Sequence, residues 1–321
     1  LGSDDDFRRH VQGSVDERMT DGERFFYYNA GYTMLGLVVE EASGQAYPDY
    51  VREHIHDPLS MDRSGFSEDA FADEDDAMTA YYRDDGDSEA SQLAFDERLY
   101  APGGMYSSVE ELGNYLRMYL NDGTLDGTQV VSEDSLAAMQ TPHATRDEYI
   151  DGTAKEYGYG LAVREYLGET LVGHGGMMGT TTAYFGFLPE SDVGVAIGCN
   201  TAPDRHPTVA GLATLAILQG EDPTETVPRL ALDEKFDALT GEYESYRGIW
   251  TGSVEHTGGR LEITLGGIRS EYTMALFPTD LDPESYDFYT VTSSGQRVPV
   301  QFHVDGDDVS VTYQRWRLHK Q

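Results

Sequence analysis

The chain is 321 residues long, with 58 acidic against 22 basic side chains and a formal net charge of −36. This length allows two domains, and so acidic a chain repels phosphates, which argues against nucleic acid or an anionic membrane surface as a partner. No run of 18 apolar residues is present, so the sequence predicts no membrane insertion of this segment.

The acidic residues are spread along the whole chain, whereas lysine occurs only three times. Self-repulsion on this scale destabilises a compact state in dilute buffer, and at molar salt a Debye length of about 3 Å removes most of it. We therefore expect a protein from a salt-adapted organism; the alternative is an acidic protein of a mesophile. The single Cys199 lies in the apolar run 193–200 and is expected to be a small core residue.

Helical patterns dominate the first part of the chain. Apolar spacing and helix-ending residues predict helices over 32–43, 47–56, 107–121 and 208–219. The third of these begins with Ser108 and Glu111 at capping-box spacing. Residues 67–98 are polar and acidic, and we expect an irregular excursion there.

Strand patterns are predicted over 160–166, 170–173, 180–188 and 193–200. Helices together with contiguous antiparallel strands indicate an α+β domain, which we place at 1–222. Residues 223–234 contain two prolines and several acids and are predicted to be a linker. From 235 to 321, about seven short strands alternate with Gly-, Asp- and Ser-rich turns, which predicts a small all-β barrel or sandwich.

Two short motifs carry candidate chemistry, Tyr27-Tyr28-Asn29 and His174-Gly175-Gly176. The first precedes a predicted helix, and the second lies on a predicted strand. Taken alone, Tyr27 could equally be an aromatic residue that only packs against its neighbours. His174 could equally be a strand histidine whose ring is hydrogen-bonded to a neighbouring residue and has no catalytic role.

A Ser-x-x-Lys pair, the nucleophile of one class of acyl-transfer enzymes, is missing from these residues. The lysines are Lys155, Lys235 and Lys320, and the residues three positions before them are Gly152, Leu232 and Arg317. No serine is therefore in register. No metal is expected either, because His54 and His56 lack further ligands at suitable spacing.

The two motifs and their surroundings resemble the β-lactamase-related serine hydrolases of the class C and DD-peptidase group, which includes D-aminopeptidases and esterases. The resemblance extends over further blocks in the family's order, at 22–25, 31–36, 101–108 and 157–161. It implies a β-lactamase/transpeptidase-like antiparallel sheet with flanking helices. The all-β domain, 235–321, resembles the lipocalin-like domain that follows it in some members.

The resemblance also implies roles for the motif residues. Tyr27 is the expected general base, Asn29 the amide that hydrogen-bonds the lysine and the substrate, and His174 the replacement for the lysine of true β-lactamases. Gly175 and Gly176 are expected to admit the substrate backbone, and the N–H of Met178 is expected to contribute to the oxyanion hole. Tyr28 is expected to form part of the pocket wall, at a position that is commonly Ser in the family.

The sequence therefore predicts a serine hydrolase that forms an acyl-enzyme on a peptide, an amide or a small ester, with D-residues among its substrates. Its Ser-x-x-Lys pair is expected outside this chain, which we interpret as N-terminally truncated. No cofactor is implied, and relatives commonly work outside the cytoplasm. Two alternatives stay open: an inactive homologue that binds a ligand or partner, and a naturally split enzyme whose nucleophile lies on another polypeptide.

Overall fold

The computed structural model describes residues 4–13, 25–84, 87–149, 152–257, 259–267, 270–280, 285–306 and 308–321. The chain divides into two compact units, Leu1–Gly220 and Glu221–Gln321. Within the described ranges, no helix combines the length and the apolar character needed to cross a membrane.

The first unit contains seven α-helices within the described ranges: α1 Asp4–Gly13, α2 Asn29–Ser43, α3 Tyr47–Val51, α4 Glu68–Ala72, α5 Val109–Leu120, α6 Glu133–Gln140 and α7 Pro207–Gln219. Helix α3 continues into a π-helical turn, Arg52–His56, and Glu97–Leu99 forms a 3₁₀ turn. The predicted helix 107–121 is confirmed as α5, and the Ser108 side chain accepts a hydrogen bond from the Glu111 N–H as the capping spacing predicted.

The strands of this unit form one large sheet and two hairpins. Their bounds are β1 Ala80–Asp84, β2 Asp87–Ser91, β3 Thr124–Leu125, β4 Thr128–Gln129, β5 Ala144–Glu148, β6 Ala154–Tyr157, β7 Ala162–Tyr166, β8 Glu169–Met178, β9 Thr181–Leu188 and β10 Val193–Cys199. The large sheet is antiparallel throughout, in the order β10-β9-β8-β7-β6-β5. The sequence predicted an irregular excursion over 67–98, but this stretch contains the hairpin β1–β2. Short strands can form even where, as in β2, the side chains are mainly exposed.

Helices α5 and α7 cover opposite faces of this sheet. Along β10 the backbone at Gly194 and Gly198 faces Leu116 and Val109 of α5, whereas Val195 faces Gly211 of α7. Successive residues of a strand point to opposite faces, so these contacts place one helix on each side. The α+β prediction with flanking helices is confirmed.

Under α5 lies the core of this unit. It combines buried residues of α5, α6, β3, the sheet and the turn after Arg52–His56: Leu59, Met61, Leu116, Met118, Tyr119, Leu125, Leu136, Leu161, Val172 and Phe187. Phe187 and Leu59 are fully buried. Strand β8, which carries the histidine–glycine motif, is therefore anchored through Val172 in a packed core.

The second unit is a closed antiparallel barrel with two short helices before it. Helices α8 Pro223–Thr226 and α9 Pro228–Leu239 precede the strands β11 Gly241–Ser245, β12 Trp250–Thr257, β13 Arg260–Gly267, β14 Ser270–Pro278, β15 Asp287–Val291, β16 Arg297–Asp305, β17 Asp308–Tyr313 and β18 Trp316–Lys320. Each strand pairs with its neighbour in sequence, and β18 closes the barrel on β11. The all-β barrel prediction is confirmed.

The predicted linker 223–234 is helical instead. It comprises α8 and the first half of α9, and α9 packs into the barrel core with Leu232, Phe236 and Leu239. The two prolines that suggested a linker stand at the first position of each helix, where the missing N–H costs nothing.

Candidate active site

Tyr27 lies on a segment without regular secondary structure, 25–28, that leads directly into α2. Its ring is 39% exposed, 6.2 Å from the His174 ring centre and nearly parallel to it. The Tyr157 ring lies edge-on at the same centroid separation. Asn29 is the first residue of α2 and is exposed; Tyr28 before it is the N-cap, and the Tyr28 side chain makes no cap hydrogen bond. The two sequence motifs, 147 positions apart by residue number, are thus neighbours in space.

His174 projects from β8, where it pairs in register with Phe185 of β9. Its Nε2 is 2.9 Å from the hydroxyl of Tyr157, the last residue of β6. Tyr157 is 6% exposed and contacts Phe25, Tyr27 and His174 through its ring. The phenol therefore fixes the orientation of the imidazole from beneath the site.

The pKa shifts of Tyr157 and His174 both favour the uncharged form of the side chain. Burial, followed by the proximity of Tyr32 and Tyr27, raises the pKa of Tyr157 well above its usual range. Burial, followed by the charge of Arg146, lowers the pKa of His174. Tyr157 consequently stays a phenol at neutral pH, and its hydroxyl shares a hydrogen bond with Nε2 of the neutral imidazole of His174.

The glycines of the motif differ in their surroundings. A Cβ at Gly175 would lie 2.8 Å from Cε1 of His206, whereas a Cβ at Gly176 would have no atom within 4 Å. His206 stands at the start of α7, and its Nδ1 accepts a hydrogen bond from the Thr208 N–H. Gly175 thus accommodates the His206 ring, and Gly176 leaves one side of β8 open to a substrate.

Arg146 brings a positive charge to Tyr27. Its guanidinium carbon is 4.8 Å from the Tyr27 ring centre and 5.7 Å from that of Phe25. A cation over the face of an aromatic ring is attracted by the negative charge of that face. Arg146 therefore packs against both aromatic rings of this segment and places a cation next to Tyr27.

Most of these groups line a cleft of about 1560 Å³ in the first unit, whereas Tyr157 and Phe25 are not among its lining residues. Of the seven predicted site residues, six line it: Tyr27, Asn29, His174, Gly175, Gly176 and Met178. Tyr28 is not among the described lining residues, and its ring lies beside Phe26 instead. The loop 102–108 lines the cleft as well, and the Met178 methyl approaches the Cβ direction of Gly103 at 4.0 Å.

Sequence reasoning missed four residues of this site, Arg146, Lys155, Tyr157 and His206. Tyr157 stands in the block 157–161 that supported the resemblance, so a signal for it was present. Arg146, Lys155 and His206 carry no local pattern. Among the described residues, no group of three or more His, Cys, Asp and Glu side chains is placed to hold a metal ion.

Residues 11–218 match the model of the family described as Beta-lactamase, and residues 223–319 match that of the Pab87 octamerisation domain. An octameric penicillin-binding protein homologue from Pyrococcus abyssi has a similar structure, with a TM-score of 0.86 and 30% sequence identity, over 98% of this chain and 70% of that one.

Two curated relatives match the first unit. Penicillin-binding protein 4 of Amycolatopsis lactamdurans is 28% identical over 54% of this chain and 46% of the relative. A D-aminopeptidase of Cereibacter sphaeroides is 22% identical over 61% of this chain and 36% of the relative. The chain thus spans less than half the length of these relatives. With a matching family model over most of its length and a structural relative of 30% identity, the chain belongs to the beta-lactamase family.

Proposed function

We propose that this chain forms part of a serine hydrolase that cleaves amide bonds through an acyl-enzyme, with its Ser-x-x-Lys pair contributed by residues outside the 321. The observation that carries this proposal is the cleft itself. It holds a tyrosine, a histidine and an open glycine strand in mutual contact, and the chain has no serine in register with a lysine.

The proposed chemistry assigns one task to each group. The serine oxygen forms a bond to the substrate carbonyl carbon, and its proton passes to Tyr27, whose ring lies beside the Arg146 cation. The backbone N–H of Met178 stabilises the negative oxygen of the intermediate. When the C–N bond breaks, the leaving amine takes the proton, and water then releases the acyl group by the same route. His174, oriented by Tyr157, contacts the Tyr27 ring and assists this proton transfer.

The edge of the large sheet supports a contribution from additional chain. Strand β10 ends the strand order, and among the described residues no strand pairs with its outer edge. It is an apolar strand, Val-Gly-Val-Ala-Ile-Gly-Cys, whose side chains are mostly half-buried. An apolar edge with unpaired backbone groups is a template for another strand. We propose that the segment with the serine pairs there.

The proposed substrates are amides and peptides that contain a D-residue, or small esters. Similarity to a D-aminopeptidase supports the first class. A penicillin would act as an acylating agent of the same serine, which is consistent with similarity to penicillin-binding proteins.

The second unit supports a proposal on assembly. Its match to an octamerisation domain, and the similarity of the chain to an octameric homologue, favour an oligomer formed through the barrel. Light scattering on the purified protein tests this: a mass several times the monomer mass is expected, and a monomer at micromolar concentration would contradict it.

The test of the hydrolase proposal uses the gene with its upstream in-frame coding sequence. We expect a fluorescent penicillin to label the full-length protein covalently, and mass spectrometry to locate the label on a serine three residues before a lysine. Tyr27→Phe and His174→Ala should slow labelling by about 10² or more, the usual range for loss of an acid–base group. The control is His303→Ala, an exposed barrel residue.

Absence of covalent labelling and of amide hydrolysis in the full-length protein would overturn the proposal. The inactive homologue that binds a ligand or partner would then take its place.

A further inference from the structure

The end of strand β8 that carries the two motif glycines has a strand partner on one side only. Pairing of β8 with β7 stops at Gly173, whereas its pairing with β9 continues to Met178. Among the described residues, positions 174–178, the free end of β8, therefore have β9 beside them and no strand on the other side. Two of these positions are glycines, which add conformational freedom to a strand. The free end of β8 consequently needs support from another element to keep one conformation.

His206, at the start of α7, contacts the free end of β8. A Cβ built on Gly175 would lie 2.8 Å from Cε1 and 3.5 Å from Nε2 of the His206 ring. The ring also forms a hydrogen bond with the backbone of Gly176. A single side chain from another element therefore touches both glycines of the motif.

The helix cap on α7 fixes which ring nitrogen of His206 carries the proton. Nδ1 accepts a hydrogen bond from the Thr208 N–H at 3.2 Å and lies 2.8 Å from the Thr208 hydroxyl. An accepting Nδ1 has no proton, so the neutral ring carries its proton on Nε2. Partial burial lowers the pKa of His206, and the neutral ring therefore prevails at pH 7. Nε2 is thus a donor, and its partner on Gly176 is the carbonyl oxygen.

Helix α7 is a firmly anchored support for this contact. Its Leu215 and Ala216 are fully buried, and the carbonyl oxygen of Leu212 accepts a hydrogen bond from the buried Tyr166 hydroxyl at 3.0 Å. The His206 ring thus connects a helix that is fixed to the sheet with a strand end that has one strand neighbour. Because His206 itself is exposed, replacement of its side chain leaves no buried cavity, and variants at this position should fold.

We propose that His206 is a positioning residue, which holds the free end of β8 in the orientation that acyl transfer requires. This role rests on the proposed hydrolase function, in which the Met178 N–H stabilises the negative oxygen of the intermediate. That N–H lies two residues after Gly176, so its direction depends on the conformation of both glycines. An oxyanion donor acts mainly on the transition state. Loss of the His206 contact should therefore slow acylation more than it weakens substrate binding.

Two substitutions separate the contact with the strand from the cap on the helix. His206→Ser keeps a capping oxygen but is too short to reach Gly176, whereas His206→Gln keeps an N–H donor at about the position of Nε2 and is a poor cap. Acylation of the full-length enzyme by a fluorescent penicillin over a range of concentrations gives the maximal rate and the half-saturating concentration.

We expect His206→Ser to lower the maximal acylation rate about tenfold or more, a part of the effect of losing an oxyanion donor, with little change in the half-saturating concentration or the melting temperature. His206→Gln should keep most of the rate and melt at a lower temperature.

A role of His206 in the helix cap alone predicts the reverse order, with His206→Gln slow and His206→Ser at the wild-type rate, and that result would overturn the proposal. An effect of His206→Ser that is confined to the half-saturating concentration would overturn it as well, because it would show that the ring binds substrate instead of holding the strand.

Amide hydrogen exchange of the full-length protein, followed by mass spectrometry, tests the support of the strand without any turnover. Faster exchange at 174–178 in His206→Ser than in the wild type and in His206→Gln supports the positioning role, and equal exchange in the three proteins overturns it. If penicillin does not acylate the full-length wild type, the hydrolase proposal fails, and the exchange rates still decide whether His206 holds the free end of β8.

Discussion

At the scale of single residues, side chains of the candidate site orient one another or fill the space that a neighbour leaves. Tyr157 is buried and bound to His174, and His206 fills the space that Gly175 leaves. The Tyr157–His174 contact and the Gly175–His206 contact each predict the effect of a small substitution: removal of one hydroxyl or addition of one methyl group.

Tyr157→Phe removes the hydroxyl that is 2.9 Å from His174 Nε2 and leaves that nitrogen without this hydrogen-bond partner. A buried polar atom that loses its partner costs about 1–3 kcal/mol, so kcat should fall about tenfold or more while KM changes little. Steady-state kinetics of the full-length enzyme check this. Tyr159→Phe is the matched control, since Tyr159 is exposed and stacks on His143. Equal kcat values for the two variants would contradict the role of Tyr157.

Gly175→Ala should lower thermal stability, because its Cβ would lie 2.8 Å from the His206 ring. Displacing that ring sacrifices the helix cap on α7, which is worth about 1 kcal/mol. His206→Ser keeps a capping oxygen and removes the ring, so Gly175→Ala should be nearly neutral in that background. Gly176→Ala serves as the control. Additive melting-temperature changes in the double variant would show that the two residues are not coupled.

The pH dependence follows from the lowered pKa of His174, which results from burial and from Arg146. A lowered pKa keeps the imidazole neutral below the usual value of about 6.5. The acid limb of kcat/KM should therefore lie below pH 6.5, and Arg146→Gln should move it upward by removing the repelling cation. A limb at or above 6.5 in the wild type, or a downward shift in the variant, would show that His174 does not control this limb.

At the scale of secondary-structure elements, sequence patterns were sufficient where an element has one apolar and one polar face. Helix α5 and strands β9 and β10 follow their predicted spans closely because periodicity and capping residues agree there, whereas β8 extends beyond the predicted 170–173 to Met178. Sequence patterns did not predict elements whose position depends on contacts with residues distant in the sequence. Strand β18, Trp316–Lys320, has two basic residues and no clear alternation, yet it pairs with both β17 and β11.

Helix α9 is the clearest case of such dependence. Phe236 is 2% exposed and contacts the rings of His256 and Phe288 in the barrel. Phe236→Ala should therefore destabilise the second unit by about 3–5 kcal/mol, as large-to-small core substitutions do. Chemical denaturation checks this, with Glu234→Ala on the exposed side of the same helix as the control. If the segment were a flexible linker, both variants would unfold like the wild type.

At the scale of the whole molecule, charge is the dominant property. A formal net charge of −36 over 321 residues produces repulsion that salt screens, and the ion pairs of the described residues are mostly exposed. Because these pairs are weak, they compensate for little of that repulsion.

The melting temperature should consequently rise when KCl is increased from 0.1 M to 1 M, where the Debye length falls from about 10 Å to about 3 Å. Circular dichroism at both salt concentrations measures it. A melting temperature that is the same, or lower, in 1 M KCl would show that repulsion between the acidic side chains does not limit stability and would remove the argument for salt adaptation.

The amino-acid sequence by itself determined the classes of secondary structure, the α+β and barrel architectures and the two motifs of the cleft, because these depend on local periodicity and on residues adjacent in the chain. Only the tertiary structure decided that Tyr157 holds His174, that a bulge turns Arg146 onto Tyr27, and that α9 and β18 complete the barrel. These contacts join residues distant in sequence through strand register and packing, which no local pattern records.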